Sequence, residues 1–269
     1  MDTVRQVTAI NNSAFWGCTG LTSVTLPNTI TWIGTSAFYD CTSLKEVKLG
    51  NNISYLGRNA FQDCSSLTKI NIPLGLTSID IGMFYGCISL KDITIPNNIK
   101  TIEAGAFYNC SNLTTVKIGN GIDTIEGAAF YNCGNLTDMW CMAKWPPQLN
   151  THTENGHTYT ALGSIPTSMN LYVACGRTGA YSGTNTWNSF NISEDCNTVG
   201  FDSDGNNAVL TEIEEYICDG GTYSFNGENL TQAGIYSKTI SKTNYDSIIK
   251  LTLNLYPKYD ITVEKRFSP

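Results

Sequence analysis

The stretch Ala37–Gly50, "AFYDCTSLKEVKLG", decides how the rest of the chain is read, because its frame of Phe, Cys, Leu and two aliphatics returns along the sequence. Phe15, Phe38, Phe61, Phe84, Phe107 and Phe130 stand 23 residues apart, and Cys18, Cys41, Cys64, Cys87, Cys110 and Cys133 keep the same step. So do Leu21, Leu44, Leu67, Leu90, Leu113 and Leu136. Three residues after each Leu comes Val24, Val47, Ile70, Ile93, Val116 or Met139, and two further Leu26, Leu49, Ile72, Ile95, Ile118 or Cys141. A fixed period of this length is the mark of a stacked-repeat architecture, in which a unit too small to bury its own apolar face buries it on its neighbours.

Within each unit L-x-x-V-x-L places its aliphatics on one side of a short strand and the intervening residues on the other, since side chains alternate along a strand. The L-x-x-V-x-L core is the pattern of a leucine-rich repeat. A second apolar pair, such as Ile30 and Ile33 or Ile99 and Ile102, supplies the opposite wall, and the Phe of each A-F fills the space between. The motif A-F-x-x-C-x-x-L-x-x-V-x-L-P resembles the BspA-like leucine-rich repeat family of bacterial surface proteins over residues 7–142. "CMAKWPPQLN" and "LYVACGRTGAY" with its following "WNSF" resemble that family's closing segment, with Ala174 and Cys175 where Pro and Ala are usual. The expected fold is mostly β: a right-handed leucine-rich-repeat solenoid of six 23-residue repeats over 1–142, and a C-terminal cap over 143–192. A linker over 193–211 and a small all-β module over 212–269 follow.

The linker boundary rests on "NISEDCNTVGFDSDGNNAV", which is acidic and rich in Asn, Gly and Ser. Beyond it come the strand-like runs "EYIC", "TYSF", "GIYSKTI" and "IIKLTLNLY", separated by turn signals such as Asn226-Gly227. Residues 217–257 resemble a small β repeat found in tandem in large secreted proteins of the Bacteroidetes type. Tyr245 stands where that pattern commonly has a Cys.

Composition narrows the function. The 269 residues carry a net charge of −7, which leaves no basic patch for nucleic acid and disfavours anionic lipid. No run of about 18 apolar residues exists, so no membrane insertion is expected. Val7 and Ile10 already match Ile30 and Ile33, so the chain begins inside a repeat. No apolar stretch follows Met1; the expectation is that a leader, with any earlier repeats, has been removed, and that the first strand, lacking a cap, pairs with another molecule.

Of the ten cysteines, six lie on the ladder. Parallel neighbours stay about 4.8 Å apart at Cβ, beyond the roughly 3.5–4.5 Å that a bridge prefers, so these read as buried, inert thiols and Cys141 joins them. A bridge is to be sought only among Cys175, Cys196 and Cys218. Chemistry is otherwise sparse. His152 and His157 flank Glu154 in "NTHTENGHTY", with spacing that matches no helical metal motif. "DSDGNN", Asp202 to Asn207, has its Gly two positions early for an EF-hand and no Glu at the twelfth. The cap segment has one carboxylate, Glu154, where glycoside hydrolysis needs two. No catalytic residue, cofactor or metal ligand is expected.

The outward strand positions are therefore the candidate partner-binding residues: Glu46, Lys48, Lys69, Asn71, Asp92, Thr94, Thr115, Lys117, Asp138 and Trp140. Trp140 reads as the large exposed aromatic of that row. The family resemblance implies a secreted or cell-surface protein mediating adhesion or protein–protein interaction, with extracellular host, matrix or bacterial surface proteins as partners. Two alternatives stay open: a structural spacer without a ligand, and a carbohydrate-binding module in the cap around Trp145, His152, Glu154 and Trp187.

Overall fold

The computed structural model describes residues 6–196 and 198 with their side chains, and the backbone of 199–201, 207–217, 223–225, 228–230, 234–242 and 245–255. The chain divides into two compact units, one of residues 1–208 with 243–245 and one of 209–242 with 246–269.

The first unit is a β-solenoid. Its front carries eight strands, Ser23–Thr25, Glu46–Lys48, Lys69–Ile70, Asp92–Ile95, Thr115–Ile118, Asp138–Cys141, Asn170–Ala174 and Asn191–Asp195. Every pairing between consecutive front strands is parallel and in register, Val24 beside Val47, Val116 beside Met139 and Met139 beside Leu171. The six repeats thus continue into two further coils built from the cap, and the last strand crosses position 192, where the sequence suggested that the cap ends. Two-residue strands form the rear wall, from Ala9–Ile10 through Trp32–Ile33 to Gln148–Leu149. One insertion interrupts the stacking, an exposed antiparallel hairpin of Thr151–Glu154 and His157–Thr160.

Alternation explains the front strands directly: Glu46–Lys48 is exposed, buried, exposed, and in Asp92–Ile95 both Ile side chains are buried. Between rear and front walls the chain makes a six-residue turn in which the second and sixth positions take the left-handed backbone. Those pairs are Ser13/Gly17, Ser36/Asp40, Asn59/Asp63, Gly82/Gly86, Gly105/Asn109 and Ala128/Asn132. Gly, Asn and Asp dominate because they tolerate positive φ at least cost. Gly86 has a second reason, since a Cβ there would lie 2.3 Å from Asp63 Oδ1 of the preceding coil.

The core is a translational stack. Phe38, Phe61, Phe84, Phe107 and Phe130 are fully buried, their rings parallel to the next at centroid spacings of 5.2, 5.9, 5.3 and 5.1 Å. Each ladder thiol donates to the carbonyl of the Phe one coil earlier: Cys41 to Phe15 at 3.1 Å, and Cys64, Cys87, Cys110 and Cys133 to Phe38, Phe61, Phe84 and Phe107 at 3.2 Å. The same Phe61 oxygen accepts the backbone N–H of Cys64 at 3.3 Å. A small, polarisable donor is what this position requires. At the N-terminal end the stack is open, with Phe15 and Trp16 exposed and Cys18 half-buried.

The second unit is all β in its described backbone. Asn207–Ile217 runs parallel to Tyr245–Leu255 with Leu210 opposite Ile248, Gly234–Lys242 lies on the far side of the latter, and Tyr223–Phe225 pairs antiparallel with Glu228–Leu230. Cys218 lies outside the described residues, and so does most of Asp202–Asn207.

Two outcomes test this core. Phe84→Ala removes a ring enclosed on both faces and is expected to cost about 3–5 kcal/mol in chemical denaturation. Burial pushes the Cys41 thiol from 9.0 up to about 11 and Cys133 up to about 12, and raises Cys64, Cys87 and Cys110 as well. The folded state holds these protons more tightly, so the stabilisation is complete below the unfolded value near 9 and is lost as pH rises through the folded values. Stability should fall between about pH 9 and 12. At pH 8 a thiol reagent should modify Cys18 well before Cys87 or Cys110, as mass spectrometry of the modified peptides can show.

Candidate binding face

Outward residues of the front strands of the first four coils line an open groove of about 590 Å³. Six of the ten positions singled out in the sequence meet there, namely Glu46, Lys48, Lys69, Asn71, Asp92 and Thr94. The strands hold them in rows about 4.8 Å apart because the parallel register repeats every 23 residues. Along one row the charge alternates from Glu46 to Lys69 to Asp92, and Lys69 Nζ lies 3.9 Å from Glu46 Oε1. Both groups are largely exposed, so the pair contributes little to stability and either partner is available to a ligand.

Asn71 is different from its neighbours in the groove. Its Oδ1 accepts the backbone N–H of Leu49 at 2.8 Å, and its Nδ2 donates to the carbonyl of the same residue at 3.0 Å. The side chain replaces a strand pairing and is not free to reach a partner.

Thr115, Lys117, Asp138 and Trp140 lie on the later strands, outside the groove. Trp140 is half-buried and not the exposed anchor expected from sequence. Its indole stacks on Tyr172 at a centroid distance of 4.3 Å, Lys117 Nζ lies 6.0 Å over the ring, and Nε1 donates to Asp195 Oδ2 at 3.2 Å. Asp138 Oδ1 accepts from Asn170 Nδ2 at 3.0 Å and Tyr172 Oη at 3.4 Å, while Oδ2 accepts from Thr137 Oγ1 at 2.8 Å. These bonds, that from Asn170 first, hold the Asp138 carboxyl below its ordinary value. Sequence reading missed Tyr172, Asn170 and Asp195, which complete this cluster. Their signal was present in "NLYVA", whose alternation matches "DMWC" once the step is allowed to lengthen from 23 residues to 32.

In the cap, Trp145 is exposed, with the Arg177 guanidinium 5.5 Å over its ring. Trp187 is core, 2% exposed, and donates to the Pro147 carbonyl at 3.2 Å, so it has no ring face for a sugar. His152 Nε2 and Glu154 Oε2 lie 3.9 Å apart on the exposed hairpin. Cys175 and Cys196 form a disulfide just past the paired ends of the last two front strands, with Cα atoms 4.5 Å apart. Glu194 lies beside that bridge, and among the described residues these three form the one cluster with metal-ligand proximity. The cluster does not fit a metal, because both sulfurs are in the bridge and the carboxylate accepts the N–H and hydroxyl of Thr178 at 3.3 and 2.6 Å.

Residues 8–137 match the BspA type leucine-rich repeat region in six copies. The repeat region belongs to that family. Similar solved structures include a leucine-rich repeat protein of Treponema pallidum, 28% identical, with 67% of this chain and 73% of that chain covered and a TM-score of 0.48. A leucine-rich cell surface protein of Faecalibacterium prausnitzii is 25% identical, with 80% and 60% covered and a TM-score of 0.47. The pneumococcal vaccine antigen PcpA is 17% identical, with 72% and 61% covered and a TM-score of 0.47. No curated protein matches the chain.

The hydrogen bonds around Asp138 make a direct prediction. In carbon-detected NMR its carboxyl should titrate below the ordinary aspartate value of 3.8, and Asn170→Ala should raise it by removing the leading donor.

Proposed function

We propose that this chain is a secreted or cell-surface protein that binds other proteins through the strand face of its BspA-type repeats, and that the binding serves adhesion. The observation that carries this reading is the groove over the first four coils. It is formed by side chains that the fold does not need: Glu46, Lys48, Lys69 and Asp92 are exposed, and paired strands hold the first three in register. A preorganised row of charges loses little entropy on binding and favours a partner of complementary pattern. Partners are extracellular host, matrix or bacterial surface proteins.

Two further observations support the location. The exposed disulfide Cys175–Cys196 belongs to an oxidising compartment, where such bonds persist. Among the described residues no helix is long and apolar enough to cross a membrane.

The test is a surface-plasmon-resonance screen against immobilised matrix and plasma proteins, with Lys48→Glu/Lys69→Glu and Trp140→Ala alongside. Saturable binding is expected, weakened at least about tenfold by the double charge reversal. Trp140→Ala should act less, since both ring faces are already engaged within the chain. Uniform silence across the panel, or binding unchanged by reversing Lys48 and Lys69, would replace this reading with that of a spacer.

A further inference from the structure

The solenoid is not uniformly stitched. From coil to coil the same backbone bonds recur: Thr68 donates to Lys45 and Thr114 to Lys91 on the front, at 2.9 and 2.8 Å. On the rear wall Ser54 donates to Thr31 and Lys100 to Thr77, at 2.9 and 2.8 Å, and Gly57 to Ile33 and Glu103 to Ile79, both at 2.9 Å. At one junction all three equivalents are missing. Lys91 does not donate to Thr68, Thr77 does not donate to Ser54, and Asp80 does not donate to Leu56. Both sheets accordingly divide at the same place, the front between Lys69–Ile70 and Asp92–Ile95 and the rear between Tyr55–Leu56 and Ser78–Ile79. The Phe61–Phe84 spacing at that junction, 5.9 Å, is the widest in the ring stack.

Local sequence accounts for the front part of the gap. Gly119 and Met142 donate their N–H to Ile95 and Ile118 of the preceding coil, at 2.8 and 3.0 Å. The equivalent residues at the two preceding coils are Pro73 and Pro96, which have no N–H to give. Asn71 makes good the first loss with its carboxamide, bonding both polar groups of Leu49. In doing so it stands in for its own main-chain carbonyl, the acceptor that Lys48 offers Leu26 at 2.8 Å one coil earlier. Its strand ends at Ile70 after two residues, where the next strand runs for four. No side chain repeats the substitution for Pro96.

We infer that this junction is a hinge, dividing the solenoid into an N-terminal block ending in the coil of residues 55–70 and a C-terminal block beginning with that of 78–95. The hinge line is the turn side, where Asn59, Phe61 and Asp63 still donate to Ile81, Met83 and Tyr85 at 3.0, 3.0 and 2.7 Å. The ion pair of exposed Arg58 and half-buried Asp80, 3.5 Å apart, spans the same junction. The blocks rotate about that ladder by opening the front and rear walls, which no backbone bond resists. The groove lies across the hinge, with Glu46, Lys48 and Lys69 on one block and Asp92 and Thr94 on the other, so the motion changes its width. The hinge itself does not depend on whether the groove binds a partner.

Spin-label distances test the motion. With Cys18 and Cys218 replaced by Ser, labels at Lys45→Cys and Lys91→Cys span the junction, and labels at Lys91→Cys and Thr137→Cys span two coils of the later block. The first pair should give the broader distribution, and Asn71→Thr, which copies the residue at positions 25 and 94, should narrow it. Equal widths would overturn the hinge, and a width unchanged by Asn71→Thr would overturn the role assigned to Asn71. Hydrogen exchange of the unmodified chain gives a check that needs no variant. The amides of Lys91, Thr77 and Asp80 should exchange at least about tenfold faster than those of Thr114, Lys100 and Glu103. Equal protection of the two sets would also overturn it.

Discussion

Stacking of one 23-residue coil on the next is the interaction on which residues 6–196 depend, because no coil encloses an apolar group by itself. Phe84 is fully buried only because Phe61 and Phe107 cover its two faces, and Phe15, covered on one face by Phe38, is exposed. Polar groups follow the same rule. The carbonyls of Phe38, Phe61, Phe84 and Phe107 each take a thiol proton from the following coil as well as an amide proton from their own, so these interior polar groups are satisfied only between neighbours. A fold of this kind places its energy along one axis, and nearest-neighbour contacts then decide where it is strong.

That dependence frees the front face. The fold fixes the inward residues of each strand and asks nothing of the outward ones beyond solubility, so Glu46, Lys48, Lys69 and Asp92 could vary without loss of the core. At the C-terminal end the outward residues are used differently. Trp140, Tyr172, Asp138, Asn170 and Asp195 bind one another and tie the last coils together, alongside the Cys175–Cys196 bridge and the buried pair of Tyr181 and Trp187. Among the described residues no further coil follows Asn191–Asp195 in the front sheet. Aromatic contacts, a disulfide and a five-residue helix, Thr178–Ser182, take its place.

Much of this was legible in the sequence because translation by 23 residues acts on every position alike. The phase of Phe84 or Cys87 fixed its burial, and the alternation in "EVK" fixed which way Glu46 and Lys48 face. What escaped were the places where a residue departs from its phase. Asn71 has the polarity of an outward residue and sits at an outward position, yet its carboxamide turns back to serve Leu49, a choice set by the missing proton of Pro73 two residues on. Trp140 looked exposed because its partner Tyr172 arrives 32 residues later, after the hairpin insertion has broken the count. The thiol-to-carbonyl bonds were hidden for another reason: periodicity shows that a cysteine is inside but not which acceptor it meets.

The departures also show why a regular solenoid need not be a uniformly rigid one. A proline in one coil can be tolerated if a neighbouring side chain replaces its lost donor, and Asn71 does this for Pro73. The same substitution withdraws the strand from its other neighbour, so satisfying one backbone group leaves others across the junction without partners. Lys91, Thr77 and Asp80 are close enough to the surface to give those protons to water, and the structure bears the gap at small cost. Had the break fallen among the coils from 92 to 141, it would have separated strands paired continuously over four residues. It falls instead beside the two-residue front strand Lys69–Ile70, under the groove, so the part of the face richest in exposed charge is also the part least constrained by the ladder.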